Sequence, residues 1–473
     1  MKKHDRREFF RRTGCMALTA AAASAGLKKL GLMNLYAQDR ATESSAAAGY
    51  KALVCIFMGG GNDSNNMILP MDATPYNMYA AVRQSAGLAL PMATLLPLNP
   101  ISIGNFGVHP SMPEIQNLFN LHKLAVVCNV GTLVQPTNRT TFRNGTAKRP
   151  YQLFSHSDQV QIFQSGIANA QRTDGWAGRT ADKLVALNSN SGFPLVTSVA
   201  GSAVFGQGLS TRPLTISTGA LNQVLVLNGF NATPESVARS NAFDLLRTVD
   251  RTATLVAAAS DGTQESLDIM GALTVDPTLT TVFPNSGIGQ QLRQVAKVMK
   301  LNQTAPQLNL QRQIFFTSIG GFDTHQNQLG AHTNLFTQLS AAMNAFHQAT
   351  VELGIEAQVT TFTMSDFGRT FAPSGSGNAT VGSDHAWGNH HLVMGGAVNG
   401  GNFYGVPGAN GTVFPTLQLA GPDDVDNRGR WCPTASLDQY GATLATWFGV
   451  QAADLPYVFP LLSNFGASNL GFV

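Results

Sequence analysis

The chain has 473 residues, 44% of them apolar and only 12% charged, which suffices for one large α/β domain with insertions or for two domains. The formal charge of +3 is concentrated in residues 1–37, which hold eight Lys/Arg against Asp5 and Glu8; the remainder carries 22 basic and 25 acidic residues, a net of −3. A chain of that sign lacks the basic footprint of a nucleic-acid-binding protein.

Asp5-Arg6-Arg7-Glu8-Phe9-Phe10-Arg11 is a twin-arginine pattern, and the weakly apolar run Met16–Leu27 behind it is shorter than the ~20 residues a bilayer span needs. Residues 1–37 therefore read as an export leader, the alternative being an amphipathic cytoplasmic helix. The expected destination is periplasmic or secreted, by a route that carries folded proteins. Residues 38–50 are a polar, Ala/Ser-rich linker, and 51–473 are expected to form the mature domain. Cys15 leaves with the leader. Cys55, Cys128 and Cys432 remain, an odd number that argues against a disulfide framework.

Ala52–Met58 is a continuous apolar run, the mark of a strand buried on both faces. It ends in Gly59-Gly60-Gly61-Asn62-Asp63, where glycines let backbone approach a ligand. Asp63 is a site candidate there, or else caps the next helix. A short helix is expected at Pro113–Leu121 and a second buried strand at Lys123–Val130. A helical pattern at Tyr151–Gly166 carries Ser155 and His156 at its start, where each reads as nucleophile, ligand or plain N-cap. Another helix opens at Trp176. Residues 190–285 turn rich in Ser, Thr, Asn and Gly and read as an insertion or cap, with strand-like pieces at Pro194–Val199 and Val224–Leu227 and helical stretches around Ser236–Ala258 and Gln264–Leu273.

Ile288–Met299 has helical periodicity. Gln313–Ile319 is a third strand, ending in Gly320-Gly321-Phe322-Asp323-Thr324-His325. An amphipathic helix at Ala331–Leu353 leads to a strand at 357–364 that stops at Ser365-Asp366. This strand–helix–strand unit implies a parallel pair with a right-handed crossover, which places Asp323 and Asp366 on one edge of the sheet. Asp384, His385, His390 and His391 then fall within eight positions, with His391 in the alternating pattern of a core strand, and Tyr440–Val450 reads as a closing helix.

In so weakly charged a chain, acids and imidazoles gathered at strand ends need a partner, and a cation is the simplest one. Asp63, Asp323, His325, Asp366, His385 and His390 are the candidate ligands. Asp with neutral His suits Zn²⁺, Mn²⁺ or Fe, and carboxylates alone suit Mg²⁺ or Ca²⁺. Such a metal polarises a phosphoryl or sulfuryl oxygen, and Arg369 is placed to clamp an oxyanion. The alternatives are an ion pair at Asp323 and a turn cap at His325.

The segments GGGND, GVHP, FSHSDQ, GWAGR, GGFDTHQNQ, SDFGRT, GSDHAWGNHH and DQYGATLATWFGV, in that order over about residues 50–465, resemble the twin-arginine-exported domain-of-unknown-function family 1501. That family is similar to the alkaline phosphatase superfamily, which includes sulfatases and phosphomutases. The resemblance implies an α/β fold with a mostly parallel central sheet between helices and a one- or two-metal site hydrolysing a small anionic phosphate or sulfate ester. Under it, Asp63 matches the first-strand metal Asp, Asp323 the Asp of the later strand, and His385 the late ligand His. Asp366 matches the first member of an Asp-His pair whose second member here is Phe367, which binds no metal. The other ligand His usually lies four residues after the later Asp. Asn327 holds that place, with His325 nearer. Ser155, with His156 beside it, is the best match to the superfamily's nucleophile at a helix start. The formylglycine motif Cys-x-Pro-x-Arg is absent. The competing reading is a non-catalytic exported binding or assembly protein that keeps the fold and one metal site. The resemblance also suggests an exported partner protein, and no transmembrane segment is expected.

Overall fold

The computed structural model describes residues 49–188, 193–223, 233–273, 275–305, 308–377 and 380–473. The leader, most of the linker and the strand-like piece at Val224–Leu227 lie outside the described residues.

The architecture is α/β, a mostly parallel sheet between two helical layers. Its central strand, β1 (Lys51–Gly59), follows from the apolar run. Side chains alternate across a strand, so Ala52, Val54, Ile56 and Met58 enter one core and Leu53, Cys55 and Phe57 the other. Helices Pro113–Asn120, Gly287–Thr304 and Gln328–Glu352 cover the first core with Ile115, Leu292, Val295, Leu339, Met343 and Phe346. Helices Trp176–Leu184 and Leu437–Phe448 cover the second with Trp176, Tyr440, Leu444 and Phe448.

A small antiparallel sheet of β2 (Ile68–Pro70), β3 (Leu96–Leu98) and β4 (Phe106–Val108) follows β1. The main sheet is completed by β5 (Leu124–Gly131), β6 (Val196–Ser198), β7 (Leu214–Thr215), β8 (Arg312–Gly320), β9 (Val359–Ser365), β10 (Asn389–Met394), β11 (Phe403–Tyr404) and β12 (Ala435–Ser436). Its order is β11-β5-β10-β9-β1-β8-β6-β7, with β12 also on β5. β10 runs antiparallel to β5 and β9, and the other pairings are parallel. β8 and β9 are parallel, as the crossover helix requires, yet they do not pair with each other. β1 lies between them and pairs with both. The carboxyl ends of β8, β1 and β9 are thus neighbours on one edge, where open α/β sheets place their sites.

The stretch expected as an insertion contributes β6 and β7 to the sheet edge. Its helices, Pro234–Thr248 and Thr254–Ala272, break at residues 249–253 rather than near 260. Among the described residues no helix is long and apolar enough to cross a membrane.

Several histidines are core residues held neutral. Burial lowers His109 to about 4 and His332 and His391 to about 3. His391 stacks on Tyr440, with ring centroids 5.4 Å apart. Between these values and the unfolded value of about 6.5, only the unfolded chain binds the proton, so stability rises with pH through that window and is lost on acidification. At pH 5 each such histidine costs about 2 kcal/mol. The urea midpoint is therefore expected to fall steeply between pH 7 and pH 5, and His391→Phe is expected to flatten that fall. An equal slope in the variant would contradict the assignment.

Candidate metal centre

Backbone at the end of β1 sets the site. Gly60 and Gly61 adopt φ of 113° and 81°, a region that suits glycine. A Cβ on Gly60 would lie 2.4 Å from the Asp323 nitrogen, and one on Gly61 2.6 Å from the Phe367 ring. Their N–H groups donate to Asp366 Oδ1 at 2.9 and 3.1 Å. Asp366 is buried and aims its Oδ2 at His156 Nδ1, 2.6 Å away.

His156 is the first residue of the helix His156–Ser165, which follows β5 in the chain and packs near β9. Its Nε2 lies 3.0 Å from His385 Nε2 and 3.3 Å from Asp323 Oδ1. His325 Nε2 lies 3.1 Å from His385 Nε2 and 3.0 Å from Asp323 Oδ1, and His385 Nε2 lies 3.5 Å from the same oxygen. The nitrogens of His156 and His385 and the Asp323 oxygen thus form one close group, with His325 Nε2 against its His385–Asp323 edge.

Each ring is oriented by its other nitrogen. His156 Nδ1 faces Asp366, His325 Nδ1 lies 3.1 Å from Asp384 Oδ1, and His385 Nδ1 lies 2.8 Å from the Phe154 carbonyl. In the tautomer in which each Nδ1–H donates to its oxygen, each Nε2 presents a lone pair. Lone pairs at 3.0 Å repel, and a cation between them removes the conflict. A tetrahedral ion with bonds of about 2.0–2.1 Å separates its donors by about 3.3 Å, and the three separations among His156, His385 and Asp323 (3.0, 3.3 and 3.5 Å) bracket that value. These three donors fit a single ion of the Zn²⁺ type, with Asp366 and the Phe154 carbonyl as the outer partners such ligands require and His325 alongside.

Without an ion, the neighbouring charges shift these groups in different directions. The hydrogen bond to Asp366 outweighs burial and raises His156, whereas burial lowers His385. Burial pushes the Asp323 carboxyl up, but the Arg369 bond and charge hold it below its ordinary value. Burial likewise opposes ionisation of Asp384, and Arg428, 2.5 Å away, brings it below its ordinary value.

Residues 50–413 match the family described as Protein of unknown function (DUF1501). The chain belongs to the DUF1501 family. No curated protein matches it in sequence. Among solved structures it is similar to the C-terminal periplasmic domain of EcEptC from Escherichia coli, in complex with Zn, at 9% identity over 74% of each chain with a TM-score of 0.28. It is also similar to the PsFucS1 sulfatase from Pseudoalteromonas sp. (9% identity, 82% of this chain and 68% of that one, TM-score 0.28) and to alkaline phosphatase from the Antarctic bacterium TAB5 (10%, 73% and 92%, TM-score 0.20).

In this DUF1501 chain the folded sheet brings together His156, Asp323, His325 and His385, with Asp366 and Arg369 directly behind them. It does not bring Asp63, His390 or Ser155 to the cluster. Asp63 is fully buried and ion-paired with Arg83 at 2.7 Å, and it caps the helix Ser64–Met67 through Asn65 N. Gln328 Nε2 also donates to it. His390 lies inside β10, where its Nδ1 accepts from Asn129 N at 3.0 Å and its ring packs on Phe414. Ser155 Oγ donates to Asp158 Oδ2 at 2.5 Å. Arg369, expected to clamp an oxyanion, is buried and committed to Asp323 Oδ1 at 2.9 Å and the Ser383 carbonyl at 2.8 Å. Phe367 walls one side, with its ring centroid 4.7 Å from that of His156 and 4.8 Å from that of His385.

The Asp63–Arg83 pair acts as scaffold. Arg83 also donates to the Asn66 side chain and to the Phe371 and Thr370 carbonyls, so it ties the first loop to the one after β9. Asp63→Asn leaves a buried guanidinium uncompensated, an expected loss of about 3–5 kcal/mol. His385→Ala should change metal-free stability far less. Urea unfolding of both variants in chelator separates the roles, and equal stabilities would contradict the scaffold assignment.

Proposed function

We propose that this chain is an exported hydrolase of small anionic phosphate or sulfate esters, with one divalent cation held by His156, His385 and Asp323 and with His325 beside it. The observation that carries this reading is the set of three oriented imidazoles whose Nε2 atoms converge on one carboxylate oxygen. A cation bound there supplies Lewis-acid chemistry, polarising an ester oxygen. The chain's residues do the rest. Asp366, Asp384 and the Phe154 carbonyl hold the rings in one tautomer. Arg369 fixes Asp323. Phe367 fills the side on which a second ion's histidine would stand. Asp323 and His325 are the most exposed members, with side chains 48% and 43% accessible, so substrate approaches from their side. Ser155 is bonded to Asp158, and the reading assigns the attack to water rather than to this hydroxyl. The twin-arginine pattern of the leader supports export to the periplasm or beyond.

A second reading has its own support. Phe367 packs where a further metal-binding imidazole is expected, and the Ser155 hydroxyl is committed to Asp158. Under it the protein is an exported binding or assembly protein that keeps the fold, joined by an exported partner.

Metal analysis of protein purified without chelator, followed by assays on aryl phosphate and aryl sulfate esters, separates the two. The hydrolase reading expects about one equivalent of Zn²⁺ or Mn²⁺ and a fall in turnover of about 100-fold or more in His385→Ala. Bound metal without turnover favours the second reading. Less than about a tenth of an equivalent of any divalent metal removes both.

A further inference from the structure

Two non-glycine residues adopt left-handed backbone just before the helix that carries His156: Gln152 at φ 43° and Phe154 at φ 79°. This region is unfavourable for a bulky L-residue, and it persists only where the surroundings impose it. The segment is tied down by Ser155 N donating to the Gln152 carbonyl at 3.0 Å and by Tyr151 N donating to the Ala168 carbonyl at 2.8 Å. One product of the turn is the direction of the Phe154 carbonyl, which accepts from His385 Nδ1 at 2.8 Å.

His385 is gripped a second time. Arg430 Nε donates to the His385 carbonyl at 2.8 Å. The same guanidinium lies over the Phe154 ring, 4.8 Å from its centroid, and Asp426 holds its far end at 2.5 Å. Phe154, His385 and Arg430 therefore close a ring of three contacts. A hydrogen bond fixes the imidazole, a second fixes its backbone, and a cation–π contact joins the two residues that make them. The other two histidines of the cluster rely on carboxylates for orientation, whereas His385 relies on a neutral carbonyl whose direction depends on the strained turn.

We propose that Phe154 and Arg430 are positioning residues, a clamp that holds His385 with its Nε2 on the cluster. This rests on the metal-centre reading above. Neither residue belongs to the donor set; Phe154 opens the FSHSDQ segment, and Arg430 lies in none of the segments that carry the resemblance.

The test is a Co²⁺ titration of the full chain, read by visible absorption, with Zn²⁺ competition. Wild type, Phe154→Gly, Arg430→Met and His385→Ala are compared. Glycine accepts the left-handed backbone but frees it and removes the ring, while methionine keeps the stem and removes the donor and the charge. Wild type is expected to give the intense bands of four-coordinate Co²⁺. Both clamp variants should bind about 10–100-fold more weakly and, at saturating Co²⁺, show weaker bands as His385 leaves the coordination sphere, approaching His385→Ala. A purely structural role would lower stability and leave the saturated spectrum unchanged. Wild-type binding with Phe154→Gly indistinguishable in affinity and spectrum overturns the clamp alone, even if Arg430→Met fails to fold. Wild-type protein that takes up no Co²⁺ overturns the metal-centre reading and the clamp together.

Discussion

Electrostatic repulsion among donors is the constraint around which this protein is arranged. His156 and His325 each bring Nε2 within hydrogen-bonding distance of His385 Nε2 and close to the Asp323 carboxylate, and lone pairs so placed do not satisfy one another. Much of the surrounding structure exists to keep them there. The paired glycines after β1 turn two backbone N–H groups onto Asp366, which then aims His156. Arg369, fully enclosed, holds Asp323. Asp384 is held by Arg428 and holds His325 in turn. Such outer partners set a ligand's direction and tautomer as firmly as the bond to the ion does.

A good part of this was legible in the sequence, because its causes are local. The run Ala52–Met58 is a two-faced strand on composition alone, and the Gly-rich turn after it announces close backbone approach. The alternation around His391 shows as core. The helix start at His156 is visible too, but whether Ser155 or His156 faces the site is a matter of about one-third of a helical turn, and the backbone before it decides. The misplaced residues share a different cause. Asp63 looks like a ligand because it ends the first strand, yet its charge is answered by Arg83, which has no motif and meets it only through tertiary packing. His390 lies one residue from His391 and so points to the opposite face of β10, into aromatic packing beside Phe414. Sequence spacing also suggested pairing β8 with β9, since nothing between residues 320 and 359 reveals that β1 sits between them.

Phe367 narrows what the site can be. Where the resemblance leads one to expect the imidazole of a second ion, an aromatic ring packs against two of the remaining histidines, and Gly61 is shaped to admit it. The ring replaces a charged ligand with apolar contact and stiffens the pair it touches. Asp366, behind that ring, anchors His156 through its Nδ1.

β1 also governs how the protein comes into being. Its contacts with β8 and β9 join residues 262 and 307 positions apart, as in the bonds from Thr317 to Cys55 and from Ser365 to Met58. The middle of the sheet is thus synthesised first and completed late, after most of the polypeptide has emerged. Until then the greasiest segment of the chain has both hydrogen-bonding edges bare. Shielding of β1 until β8 and β9 have been made is the regime that such an order of assembly favours.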